Sequence, residues 1–154
     1  MTIFIGADHR GFLLKEKIKP FLTSLGHKAV DVGTHVEGES CDYAPLSRDV
    51  AMKVAQTPQS RGILVCMTGI GHCIAANKVP GAYAALVYNK EAAALSRQHN
   101  NSNILVLGAK FTIEADLTEI VKIWLNTEFE GGRHLRRVEE IKKIEKEFLK
   151  GPQQ

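Results

Sequence analysis

The sequence is short of the features that would specialise it early. Its 154 residues include three cysteines, five prolines and one tryptophan, and aromatic residues make up only 6%. No apolar run approaches the roughly 20 residues needed to span a bilayer, so no membrane association is expected. The first apolar run begins at Thr2 with no basic leader or cleavage site before it. Export is therefore not expected, and a cytoplasmic location is. Cys41, Cys66 and Cys73 are odd in number and lack framework spacing, which favours reduced thiols. The Cys66–Cys73 interval matches no zinc pattern, so neither metal nor other cofactor is expected.

Charge of one sign is scarce as well. Twenty basic side chains against 17 acidic ones leave +3. Residues 1–130 are balanced at 13 and 13, while 131–150 carry seven basic and four acidic groups, so the whole excess lies in the C-terminal segment. A nucleic-acid protein shows a larger surplus interleaved with stacking aromatics, and only Phe148 lies in this stretch. The segment reads as a solvated helix face or as an arm that binds a small anion.

What the chain does have is the 44% hydrophobic content of a folded protein and a length that suits one domain. A chain of this size buries roughly 68–70% of its unfolded surface, enough to need no staple. Apolar runs at Thr2–Gly6, Lys28–Val32, Gly62–Cys66, Ala82–Val87 and Asn103–Gly108 alternate with amphipathic segments at Gly11–Leu25, Tyr43–Gln56, Gly71–Lys78, Lys90–His99 and Thr112–Asn126. Continuous apolar strands separated by helices predict a doubly wound, five-stranded parallel sheet of the Rossmann-like α/β class. Gly131-Gly132 separates residues 1–130 from an extra C-terminal helix over 131–150, part of the same domain. Its stripe of Leu135, Val138, Ile141, Ile144 and Phe148 is free either to cover its own sheet or to meet a second subunit.

Ligands of such sheets bind beyond the C-terminal strand ends, which makes the polar residues there the candidates. Asp8, His9 and Arg10 follow the first strand. Asp8 serves equally as a cap for the following helix. Cys66 closes the third strand and leads into Thr68-Gly69-Ile70-Gly71. Glycines between strand and helix let backbone amides face an anion. The loop is no dinucleotide fingerprint, because position 74 is Ile where a third glycine belongs. No Walker A pattern occurs. A smaller anion or a developing oxyanion fits better. Cys66 reads either as a core thiol or as a nucleophile or base at a helix N-terminus. Arg133 and Arg137, four apart on one side of the last helix, suit a phosphate.

The segments GADHRGF (6–12), CDYA (41–44), GILVCMTGIGHCIAANKVPG (62–81), LSRQHNNSNILVLG (95–108) and FEGGRHLRRVEEI (129–141) together resemble the ribose-5-phosphate isomerase B family, which includes galactose-6-phosphate isomerase subunits. The resemblance covers almost the whole chain. It implies a homodimer, or a tetramer built from it, with active sites shared between chains, interconverting an aldose and a ketose phosphate without metal or cofactor. It makes Cys66 the base that moves a proton between C2 and C1, and His99 the acid/base that opens the sugar ring. Thr68 and the amides of Gly69, Ile70 and Gly71 become the enediolate pocket, with Asn100 contributing. Asp8, His9 and Tyr43 line the sugar, Met67 borders it, and Arg133, Arg137 and Lys110 take the phosphate.

Three positions depart from the family pattern. Met67 stands where Gly is usual, and a positive φ there would cost roughly 1–2 kcal/mol. Lys110 replaces an Arg and loses the bidentate fork. His72 replaces an apolar residue; it is either a partly buried helix residue or a group that tunes Cys66 or shares its proton transfer. A hexose phosphate and a non-catalytic sugar-phosphate-binding module are the competing readings.

Overall fold

A computed structural model describes residues 1–149, so Lys150, the expected last residue of the C-terminal helix, lies outside the described residues. Five strands form one parallel sheet: β1 (Thr2–Ala7), β2 (Lys28–Gly33), β3 (Arg61–Cys66), β4 (Ala84–Val87) and β5 (Ile104–Gly108). Their order is β2-β1-β3-β5-β4. The helices are α1 (Phe12–Ser24), α2 (Tyr43–Gln56), α3 (Ile70–Ala76), α4 (Lys90–Asn100), α5 (Leu117–Asn126) and α6 (Arg133–Leu149). The doubly wound sheet and the extra helix are as the sequence predicts. Among the described residues, no helix is long and apolar enough to cross a membrane.

The unbroken apolar strands have the reason given for them, because each sheet face carries its own core. On one face Leu14, Ile18 and Leu22 of α1 and Ile120, Val121 and Trp124 of α5 pack on Ile3, Ile5, Ile63 and Leu105. On the other, Val50, Ala51 and Val54 of α2 and Ala76 of α3 pack on Phe4, Leu64, Ile104 and Val106. The chain leaves β1 toward β2 and returns to β3 on the opposite side. The strand order therefore reverses between β1 and β3, and a crevice opens at their C-terminal ends.

Two elements start later than expected for an identifiable local reason. The helix expected over Thr112–Asn126 begins only at Leu117, after a short 3₁₀ turn at Glu114–Asp116. The fourth strand starts at Ala84 rather than Ala82, because the Asn103 side chain clamps the approach, accepting from Tyr83 N at 2.7 Å and donating to Gly81 O at 2.8 Å. Lys15 points inward and is fully buried, its ammonium bound to both Asp31 oxygens at 2.7 and 2.9 Å. Burial pushes Asp31 up, but the bonds from Lys15 and Lys19 outweigh it, and its pKa is lowered.

The last helix leans on α4 and is tied to the sheet edge by Glu145, which accepts from Gly81 N at 3.1 Å and from Tyr83 OH at 3.2 Å. Of its apolar stripe only Val138 is buried. Leu135, Ile141, Ile144 and Phe148 are exposed, the last at 81%. The stripe does not cover its own sheet.

Candidate active site

The reversal point gathers the first group of candidate residues. Asp8 closes β1, and its Oδ1 accepts from the amides of Arg10 at 2.9 Å and Gly11 at 3.0 Å, so it does cap the turn into α1. Cys66 ends β3 with 6% exposure, and its Sγ accepts from Gly69 N at 3.0 Å. The loop after it is pinned to the end of β5 by bonds from Ala109 N to Cys66 O at 2.8 Å and from Lys110 N to Met67 O at 2.9 Å. Thr68 Oγ1 accepts from Ile70 N at 3.3 Å. His9 is half-buried alongside, its Nδ1 accepting from Cys41 N at 3.4 Å.

Two glycines make this loop possible. Gly69 has φ +81°, a conformation that side-chain-bearing residues rarely adopt. A Cβ on Gly71 would lie 2.7 Å from the Tyr43 ring, so its absence lets Tyr43 lean over the start of α3. The loop takes its positive φ at Gly69 and not at Met67, whose side chain is 42% exposed. Met67 therefore carries no backbone strain. Ile70 is exposed beside it, and so is Lys110, whose ammonium stands 5.9 Å from the Phe111 ring centroid.

His72, one turn into α3, is fully rather than partly buried. Its Nδ1 lies 2.6 Å from Ser47 Oγ, and Ser47 spends its hydroxyl proton on Tyr43 O at 2.8 Å. Oγ is then placed to accept from Nδ1–H, the tautomer whose Nε2 carries no proton. Nε2 has no hydrogen-bond partner. Burial pushes the His72 pKa down to about 4, with the nearby Asp8 charge and the Val65 carbonyl pulling the other way. Ser47 escapes a sequence reading, since a helix serine four residues from Tyr43 carries no distinguishing signal.

The second group of candidates lies elsewhere. Helix α4 runs back from the end of β4, so His99 and Asn100 sit at the edge where β5 begins. The length of β5 separates them from the Cys66 loop, on the order of 16 Å. There the His99 ring stacks on His134 of α6, with centroids 4.1 Å apart and planes 5° from parallel. Glu130 N bonds Gln98 O at 3.1 Å, which holds the Gly-Gly hinge against the end of α4. Arg133 and Arg137 project from the first turns of α6, exposed, and form no ion pair among the described residues. Arg133 Nε reaches His134 Nε2 at 3.4 Å. His134 was not singled out in the sequence, although it sits inside the Gly-Gly-Arg-His block.

The fold thus assembles Asp8, His9, Tyr43, Cys66, Met67, Thr68, Gly69, Ile70, Gly71 and Lys110 at one edge. It holds His99, Asn100, Arg133 and Arg137 at the other. The model of the Ribose/Galactose Isomerase family matches residues 3–141. The chain belongs to that family. Within it, the chain is 43% identical over 147 residues to a probable ribose-5-phosphate isomerase B of Mycoplasma genitalium, covering 95% of this chain and 97% of that one. A ribose-5-phosphate isomerase B from Clostridium thermocellum superposes with a TM-score of 0.89 at 46% identity, over 96% of this chain and 99% of the other. The Mycoplasma genitalium enzyme with bound ribulose-5-phosphate superposes with a TM-score of 0.91 at 43% identity, over 95% and 97%. The isomerase fold therefore extends over nearly the entire chain.

Proposed function

We propose that the protein is a ribose-5-phosphate isomerase, interconverting D-ribose 5-phosphate and D-ribulose 5-phosphate through an enediolate. The observation that carries the reading is the Cys66 thiol at the strand-order reversal, under a glycine loop whose Gly69 amide already faces its sulfur at 3.0 Å. A thiolate accepting that N–H removes the proton from C2 of the open-chain aldose. The same sulfur returns it to C1, while the hydroxyl proton on O2 passes to O1, so that C1 becomes an alcohol as the ketone forms at C2. No proton or electron is left over, so the step needs no redox cofactor.

The charge that develops on the enediolate oxygen calls for preorganised donors. The amides at the start of α3 have no intrahelical acceptor; that of Ile70 bonds Thr68 Oγ1, which keeps the Thr68 hydroxyl beside them. Asp8, His9 and Tyr43 surround the sugar hydroxyls. Lys110 supplies charge at the rim without the directional fork of an arginine.

Ring opening and phosphate binding fall to His99, Asn100, Arg133 and Arg137. These residues are remote from Cys66 in their own chain, and in this reading they serve the loop of a second copy. The exposed stripe on α6 and the adjoining groove of about 410 Å³ between β4 and α6, lined by Ala85, Asn100, Ile141 and Ile144, give that copy an apolar surface to cover. The working unit is then a homodimer with each site shared between chains.

The ribulose-5-phosphate bound to the Mycoplasma genitalium relative supports a pentose over allose or galactose 6-phosphate. The complete set of Cys66, Thr68 and His99 supports catalysis over mere binding. A coupled assay offering ribose, allose and galactose phosphates in parallel tests the reading. Turnover should be highest with ribose 5-phosphate; binding without turnover across the panel would overturn it.

A further inference from the structure

Three donor atoms of different elements meet behind the Cys66 loop. A carboxylate oxygen of Asp8, Cys66 Sγ and a ring nitrogen of His72 all lie within 4.8 Å of one another, and all three residues are buried. They come from three separate parts of the chain: the residue after β1, the end of β3 and the first turn of α3. No hydrogen bond joins any two of them. Isomerisation as derived above uses the thiol and the carboxylate but leaves the imidazole without work. A fully buried ring nitrogen with no partner is destabilising, and an apolar side chain would fill the same place without that cost.

We infer that Asp8, Cys66 and His72 form a binding site for one soft divalent cation of the zinc type, and that the bound ion stops isomerisation by occupying the thiolate. The inhibitory part rests on the proposed role of Cys66; the binding site does not. The donor set is oxygen, sulfur and nitrogen, each a ligand type that zinc accepts, and three protein ligands leave a fourth position open. Bonds of about 2.0–2.3 Å at tetrahedral angles leave neighbouring donors roughly 3.3–3.7 Å apart, so atoms within 4.8 Å of one another need to close by about 1.5 Å at most.

The imidazole is also preset for the task. In the tautomer that donates Nδ1–H to Ser47, the Nε2 lone pair is available to a metal. An outer hydrogen bond of this kind orients metal-binding histidines generally. Binding breaks the Cys66 S–H bond and releases the proton to solvent, and the sulfur becomes a thiolate ligand unavailable to the sugar. The other cluster of metal-binding residue types, His99, Glu130 and His134, is a weaker host. Its Glu130 is exposed, and His134 Nε2 already accepts from Arg133.

Titration of the full chain with cobalt(II) alone reads the site without any assay of turnover. One ion per chain, with a thiolate-to-cobalt charge-transfer band in the near ultraviolet, is the expected result. The band should survive Cys41→Ser and Cys73→Ser and vanish in Cys66→Ser and in His72→Leu. Ser47→Ala keeps every ligand but loses the orienting bond, and should weaken zinc binding about tenfold. It also guards against a His72 variant that fails to fold. Zinc should remove the wild-type isomerase activity and a chelator should restore it. A band that persists in His72→Leu, or no band in the wild type, overturns the site. A normal band in a protein that turns over no sugar phosphate would leave the site standing and defeat the isomerase reading instead.

Discussion

At the C-terminal edge of the sheet Asp8, Cys66 and His72 are packed away from water, each at 7% exposure or less. At the opposite edge Arg133, Arg137 and Asn100 stand in solvent, and only His99, stacked on His134, is held by a ring. One edge has the makings of proton chemistry, where a low dielectric and fixed donors strengthen every interaction. The other has long, mobile cations suited to capturing a charged group as it arrives. In the reading proposed above, each edge is half of an active site, and a second copy of the chain brings unlike halves together.

The largest effect should come from removing the base. Cys66→Ala is expected to lower kcat by about 10³-fold while circular dichroism and sugar-phosphate binding change little, in the range general acid–base groups supply. Near-normal turnover would reassign the buried edge. Burial itself predicts the next effect. His72 is neutral in the fold down to about pH 4, whereas an unfolded chain takes up the proton near 6.5. Stability is thus complete above about 6.5 and falls as pH drops toward 4, by on the order of 3 kcal/mol. Denaturant midpoints at pH 7 and 4.5 check this, and His72→Leu should flatten the slope between them. The solvent-exposed edge should behave differently. Arg137→Ala is expected to raise KM about 30-fold with stability unaltered, since a charge-assisted bond is worth roughly 2 kcal/mol and the side chain is exposed. A loss of stability instead would mean that the arginine holds α6 in place.

The sheet was legible because its signal is local. Strands buried on both faces must be continuously apolar, and those at β1, β2, β3 and β5 were placed to within a residue at either end. The misplaced starts of β4 and α5 depend on a distant side chain, Asn103, and on a 3₁₀ turn whose residues also suit a helix. The inward Lys15 was not legible, because its partner Asp31 lies on β2 and nothing in α1 announces it. The candidate residues were found individually, from strand ends and from the family blocks. Their division between two edges follows from α4 running antiparallel to the strands, which is a property of the whole fold. The Asp8–Cys66–His72 meeting is hidden for the same reason. Metal-spacing rules look for ligands close along the chain, and these three are separated by whole elements.

The shared site is the central claim, and complementation tests it most directly. Cys66→Ala and His99→Ala chains, each inactive alone, are unfolded together in equal amounts and refolded. Random pairing makes half of the dimers mixed, and each mixed dimer contains one intact site, so activity should return to roughly a quarter of the wild-type value. Recovery no greater than the sum of the two parents would show that each chain works with its own Cys66 and His99, and would contradict the account.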